Sequence, residues 1–185
     1  MSFLEGLRKK AASVILRYNI RKVNRRKQFM NLSDVRTVGV LFSPSENNGF
    51  GPVHEFIRQL SREGKQVYAI GYIDKNAVPD NFLLRQGYNF LCRHDLNWFF
   101  RPEADFVNDF IERELDLLVN LSFEDYLPLD YIHSLSRARF KTGRFRVDDN
   151  ETTDLAIDVR NKRDTKYLIE QIIHYLQIIN RKQQQ

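Results

Sequence analysis

Hydrophobic residues along this chain fall into two rhythms. Short apolar runs at residues 37–42 (TVGVLF), 66–73 (QVYAIGYI) and 115–121 (LDLLVNL) have the length of strands, with weaker runs at 89–92, 140–142 and 155–159. Between them the apolar positions recur at helical spacing. Val53, Phe56, Ile57 and Leu60 follow Pro52, Phe106, Val107, Phe110 and Ile111 follow Pro102, and a further helix opens at Pro128. Gly64 marks the end of the first of these helices. The continuous apolarity of residues 115–121 is that of a strand covered on both faces. Strands alternating with amphipathic helices predict an α/β fold: a three-layer, Rossmann-like, mostly parallel sheet with flanking helices.

Both ends of the chain read as helices. Near the start, Leu4, Leu7, Ala11, Val14, Ile15 and Tyr18 fall within an arc of about 100°, the width of a buried stripe. Extending the same helix would put Lys22 and Arg25 on that stripe, where an unpaired charge is costly. The packed helix is therefore expected to end near Asn19, or its second half to leave the body. At the other end, residues 164–180 are apolar over more than one stripe. Leu168, Ile169, Ile172, Ile173, Leu176 and Ile179 are flanked by Tyr167, Tyr175 and Ile178, and Glu170, His174 and Gln177 form a narrow polar edge. That breadth predicts contact with the N-terminal helix, or a homodimer through the C-terminal helix.

Charge divides the chain. Residues 1–30 hold nine cations against one acid, a net +8, while the remainder carries a net −3. The division predicts a basic amphipathic helical arm over residues 1–30 and a single α/β domain over 31–185. Arg17, Arg21, Lys22, Arg25, Arg26 and Lys27 are the candidates for binding an anionic surface. Three readings of the arm compete. It can pack by its first half with a solvated basic end, dock on an acidic membrane or protein surface, or bind nucleic-acid phosphate without sequence preference. No groove-reading motif supports the last in any specific form.

With 185 residues, 42% hydrophobic and 29% charged, the chain is too apolar to be disordered and has the size of one domain. One cysteine, Cys92, excludes an intrachain disulfide framework. No run approaches the roughly 20 apolar residues of a membrane span. The expected location is cytoplasmic, peripheral at the inner membrane face.

Common cofactor fingerprints are missing, and neither a cofactor nor a metal is expected. The loop at residues 45–51 lies between the first strand and its helix, where open α/β sheets bind ligands. It supplies Glu46 as a weak catalytic candidate, with Asn47, Asn48, Gly49 and Gly51 for ligand contact. Glu124 and Asp125, beyond the strand at 115–121, are the matching acids across a cleft. His54 beside Glu55 reads as a solvated pair, and the group around His94, Asp95, Trp98, Phe99 and Phe100 as core or interface packing.

Asp116-Leu117-Leu118-Val119-Asn120-Leu121, followed by a helix and Ala138-Arg139-Phe140-Lys141-Thr142-Gly143-Arg144, resembles the N-terminal Rossmann-like half of heptosyltransferase-type glycosyltransferases. The resemblance implies a catalytic acid in the loop after the first strand, six residues before a helix-starting proline. Glu46 stands where that family has Asp, Pro52 fits the proline, and Ser45 replaces a Gly. Only one strand and one helix are predicted after Arg144, so a counterpart of the family's second domain, which binds the nucleotide sugar, is not expected in these residues. As a whole, the chain is similar to an uncharacterised family of small bacterial α/β proteins of unknown function. The expectation is a non-catalytic binding module whose basic arm docks on an acidic surface. The alternative is a small glycosyltransferase-like or phosphate-ligand-binding domain using residues 45–51.

Overall fold

A computed structural model describes residues 3–45, 50–147 and 152–179, with side chains from residue 6 onward. In chain order the elements are α1 (Phe3–Ile20), β1 (Thr37–Phe42), α2 (Gly51–Arg62), β2 (Gln66–Tyr72), α3 (Asp80–Leu83), β3 (Tyr88–Leu91), α4 (Asp105–Glu112), β4 (Leu117–Asn120), α5 (Leu127–Leu135), β5 (Phe140–Arg144), β6 (Leu155–Ile157) and α6 (Thr165–Ile178). The six strands form one sheet in the order β3-β2-β1-β4-β5-β6, and every pairing is parallel. This is a three-layer, Rossmann-like α/β fold. The order reverses direction between β1 and β4, which opens a crevice beyond their carboxyl ends.

Residue period sets the two layers. Along β1, Val38, Val40 and Phe42 face α2 and α6, packing with Val53, Phe56 and Leu60 of the first and Leu168, Ile172 and Leu176 of the second. Leu41 faces the other way, joining Leu118 of β4 with Val107 and Phe110 of α4 and Leu129 and Ile132 of α5. Gly39 permits the second layer its close approach, since a Cβ there would lie 2.6 Å from Leu115 Cδ1 and 2.8 Å from Phe110 Cζ.

Local signals fix the element ends. Gly64 takes φ +78° after α2, and the amides of Gly64 and Lys65 donate back to the carbonyls of Ser61 and Leu60, closing the helix. The Asp164 side chain caps α6 by accepting from the Tyr167 amide at 2.8 Å. Pro102 does not start α4. It pairs with Leu96 in an isolated antiparallel bridge, leaving Trp98 and Phe99 at the tip of a short loop, and the helix begins at Asp105.

The two terminal helices lie on opposite faces. α1 packs on α5, whereas α6 packs on α2 and the sheet, so the expected contact between α1 and α6 does not form. Residues 21–36 carry the chain around the amino edge of the sheet. The Gln28 amide donates to the Arg139 carbonyl, Phe29 meets Phe140 edge-on, and the Leu32 amide donates to the Leu176 carbonyl. Met30, Leu32 and Val35 of this segment are buried in one core cluster with Leu168, Ile172 and Leu176 of α6, and the Asn31 side chain donates to the carbonyls of Gln177 and Ile179 at the helix end.

Candidate functional site

Helix α1 lies with its apolar stripe outward. Ala12 and Leu16 are buried against the body, while Leu7 is 50%, Val14 67% and Tyr18 61% exposed. The stripe expected to be buried is thus turned to solvent. The reason lies beneath the helix, because its inner side meets polar clefts and is lined accordingly by Arg8, Lys9, Ser13 and Arg17. Helical spacing identifies a stripe but not the side on which the body lies.

The basic residues of this segment separate into two groups. Arg25 is drawn inside: its guanidinium, 6% exposed, donates to both carboxylate oxygens of Asp154 at 2.8 and 2.7 Å and to the carbonyls of Ala138 and Arg139. Burial pushes the Asp154 carboxyl up, but Arg25 and the Lys141 amide outweigh it and hold the group below the ordinary carboxylate range. Lys27 reaches the same carboxylate at 3.6 Å with most of its side chain in water. Lys10, Arg21, Lys22 and Arg26 are exposed, and the Lys22 ammonium lies 4.2 Å from the Tyr18 ring centroid. At the other end of α1, Arg8 donates to the Trp98 carbonyl at 2.8 Å and covers the ring of Phe100, whose φ of 59° is held by Asn97 accepting from the amides of Phe99 and Arg101. Trp98 remains 55% exposed at that tip, so this aromatic group is not core.

Beneath α1, two cavities flank the start of α5 and share Asp125 and Leu127. One, of about 560 Å³, lies beyond β2 and includes Arg8, Lys9, Tyr72, Asp74 and Arg93. There Arg93 grips Asp74 with two hydrogen bonds and Tyr72 donates to the same carboxylate. Burial, with Asp74 adding to it, pushes the Tyr72 hydroxyl far up. The other cavity, of about 330 Å³, lies beyond β4 and β5. Arg144 binds the Asp125 carboxylate and the Ser122 carbonyl, and Arg146 binds Asp130. Burial raises the Asp130 carboxyl above its ordinary range against the pull of Arg146. His133 on α5 is buried, with Nε2 3.0 Å from the Thr153 hydroxyl. Burial, then the positive charges of Lys141, Arg146 and Arg25, hold its imidazole neutral, well below the usual histidine range. Lys141 is itself buried in β5 and donates to the His133 and Ser134 carbonyls, placing a cation at the carboxyl end of α5.

Of the acids expected to converge, Asp125 lines both cavities, but Glu124 turns away to pair with Arg163 at 2.7 Å. Glu46, Asn47, Asn48 and Gly49 lie outside the described residues. Gly51 is the first residue of α2, and Ser43, at the end of β1, has a buried hydroxyl without a hydrogen-bond partner among the described residues. His54 is not a solvated pair with Glu55, because its Nδ1 meets the Tyr88 hydroxyl at 2.8 Å. Asn120, Asp130, His133, Arg144 and Arg146 were not singled out as site residues from sequence. The one available signal was Arg144 and Arg146 two positions apart at a strand's carboxyl end, a spacing that sends side chains to one side. Among the described residues no three His, Cys, Asp or Glu side chains are grouped to hold a metal ion, and no helix is long and apolar enough to cross a membrane.

Residues 8–179 match the model of a family described as a family of unknown function (DUF6913). No curated protein and no solved structure matches the chain.

Proposed function

The chain belongs to the DUF6913 family of unknown function, and on that premise we propose that it is a non-catalytic module that docks through α1 on an acidic membrane surface. The observation carrying this reading is the outward stripe of Leu7, Val14, Ile15 and Tyr18, which no part of the described chain covers. Contiguous exposed apolar surface on one helix face is characteristic of an interaction site. Its surroundings favour anionic lipid. Lys10 stands one turn from Leu7 and Val14, and Arg21 and Lys22 follow Tyr18, so cations border the stripe where headgroups would lie. Each is worth about 1 kcal/mol near such a surface. Trp98 and Phe99, beside Arg8, add the amphipathic aromatics suited to a headgroup layer.

Deleting the whole arm is a poor test, since Arg25, Gln28 and Phe29 are tied into the body. Point changes on the outer side of α1 avoid that. Wild type should cosediment with vesicles containing phosphatidylglycerol and not with phosphatidylcholine vesicles, releasing as salt rises from about 0.05 to about 0.3 M. Val14→Glu should lose the binding while keeping the wild-type melting temperature. Equal binding to both vesicle types, or undiminished binding by Val14→Glu, would refute membrane docking. A dimer that Val14→Glu turns into a monomer would assign the stripe to a second copy.

A further inference from the structure

We propose that the cavity beyond β4 and β5 binds the phosphate of a phosphate monoester, held between Arg17 of α1, Arg144 of β5, Asn120 of β4 and His133 of α5. The place is right for a ligand: it lies outside the carboxyl ends of parallel strands, and its volume of about 330 Å³ is at the small end of the range for such sites.

The cavity also offers hydrogen-bonding capacity that the protein leaves unused. Arg17 lines it and has no ion-pair or hydrogen-bond partner among the described residues. Asn120 accepts from the amide and hydroxyl of Ser122 through Oδ1, which fixes the orientation of the side chain and leaves its NH₂ group to donate. Arg144 is aimed by the Ser122 carbonyl on Nε and by Asp125 on one terminal nitrogen, so its other terminal nitrogen remains. His133 Nδ1 is buried without a partner among the described residues, and the residue is only 5% exposed. When Thr153 donates its hydroxyl to Nε2, the single proton of the neutral ring sits on Nδ1, which can then donate a hydrogen bond to a phosphate oxygen.

Charge and shape select the ligand class. Among the described residues that line it, three guanidinium groups (Arg17, Arg144, Arg146) stand against two carboxylates (Asp125, Asp130), a balance of one positive charge. Donors arriving from four separate elements suit a tetrahedral anion with three free oxygens better than a planar carboxylate, and arginine is the favoured partner of phosphate. The monoester can be a soluble molecule or a lipid headgroup, and the chemistry of the site is the same for both.

The test is a calorimetric titration of the full chain with inorganic phosphate and glycerol 3-phosphate at constant ionic strength, without vesicles. Saturable one-site binding is expected, weakened at least about tenfold in Arg17→Gln, equivalent to about 1.4 kcal/mol. The melting temperature of the unliganded variant should not change, because Arg17 is exposed and has no partner among the described residues. Val14→Glu should titrate like wild type even though it loses vesicle docking, which separates this site from the outer stripe. A headgroup source would show as tighter binding to phosphatidic acid than to phosphatidylglycerol vesicles of equal charge, a preference lost in Arg17→Gln. If neither soluble probe saturates and no such lipid preference appears, or if Arg17→Gln titrates like wild type, the site does not bind phosphate.

Discussion

At the scale of single residues, two buried groups dominate what can be measured. Arg25 and Asp154 form a desolvated pair whose worth lies in each satisfying the other, so removing one leaves a buried charge. Asp154→Asn is expected to lower unfolding free energy by about 3–5 kcal/mol, read as a lower urea midpoint at unchanged slope. His133 acts through pH. Its ring stays neutral in the folded state, whereas the unfolded chain takes up a proton as pH falls below about 6.5. A depressed folded value means that stability is lost as pH falls, and between about pH 7.5 and 5.5 the histidine's share is about 1.4 kcal/mol. Comparing urea unfolding at the two pH values should show a smaller loss for His133→Gln by that amount; identical losses would mean that His133 is protonated when folded. Neither residue's role was legible in the sequence. Arg25 was one cation among nine, and its partner lies 129 positions away.

Among the elements, β1 and its neighbours were readable because their signals are local. The run at 37–42 coincides with β1, Pro52 falls in the first turn of α2, and Gly64 closes it. Gly39 is the position where the sheet depends on having no side chain. Gly39→Ala is expected to force Phe110 and Leu115 aside and cost about 1–3 kcal/mol in chemical denaturation. α1 was readable as a helix ending near Asn19, and it ends at Ile20. Its orientation was not, since a periodic stripe specifies an angle around the axis and nothing about the surface on the other side. Likewise Trp98 and Phe99 read as core or interface packing by residue type, and a bridge between Leu96 and Pro102 lifts them out of the core to an exposed tip.

For the whole molecule, α1 has an apolar outer side and a polar inner side over the carboxyl-edge cavities, so one helix borders both proposed sites. Charge arithmetic predicts a basic helical arm over residues 1–30 apart from an α/β body, whereas the helix ends at Ile20 and residues 21–36 run along the body, tied to it through Arg25, Gln28, Asn31 and Leu32. The layered α/β class, the positions of most strands and helices and the uneven charge were legible in the chain, because each follows from spacing and residue type within a few neighbours. Which way α1 faces, which cation is locked inside and which side chains meet beneath the helix were set by packing. Those depend on contacts between segments more than a hundred residues apart, which no local period encodes.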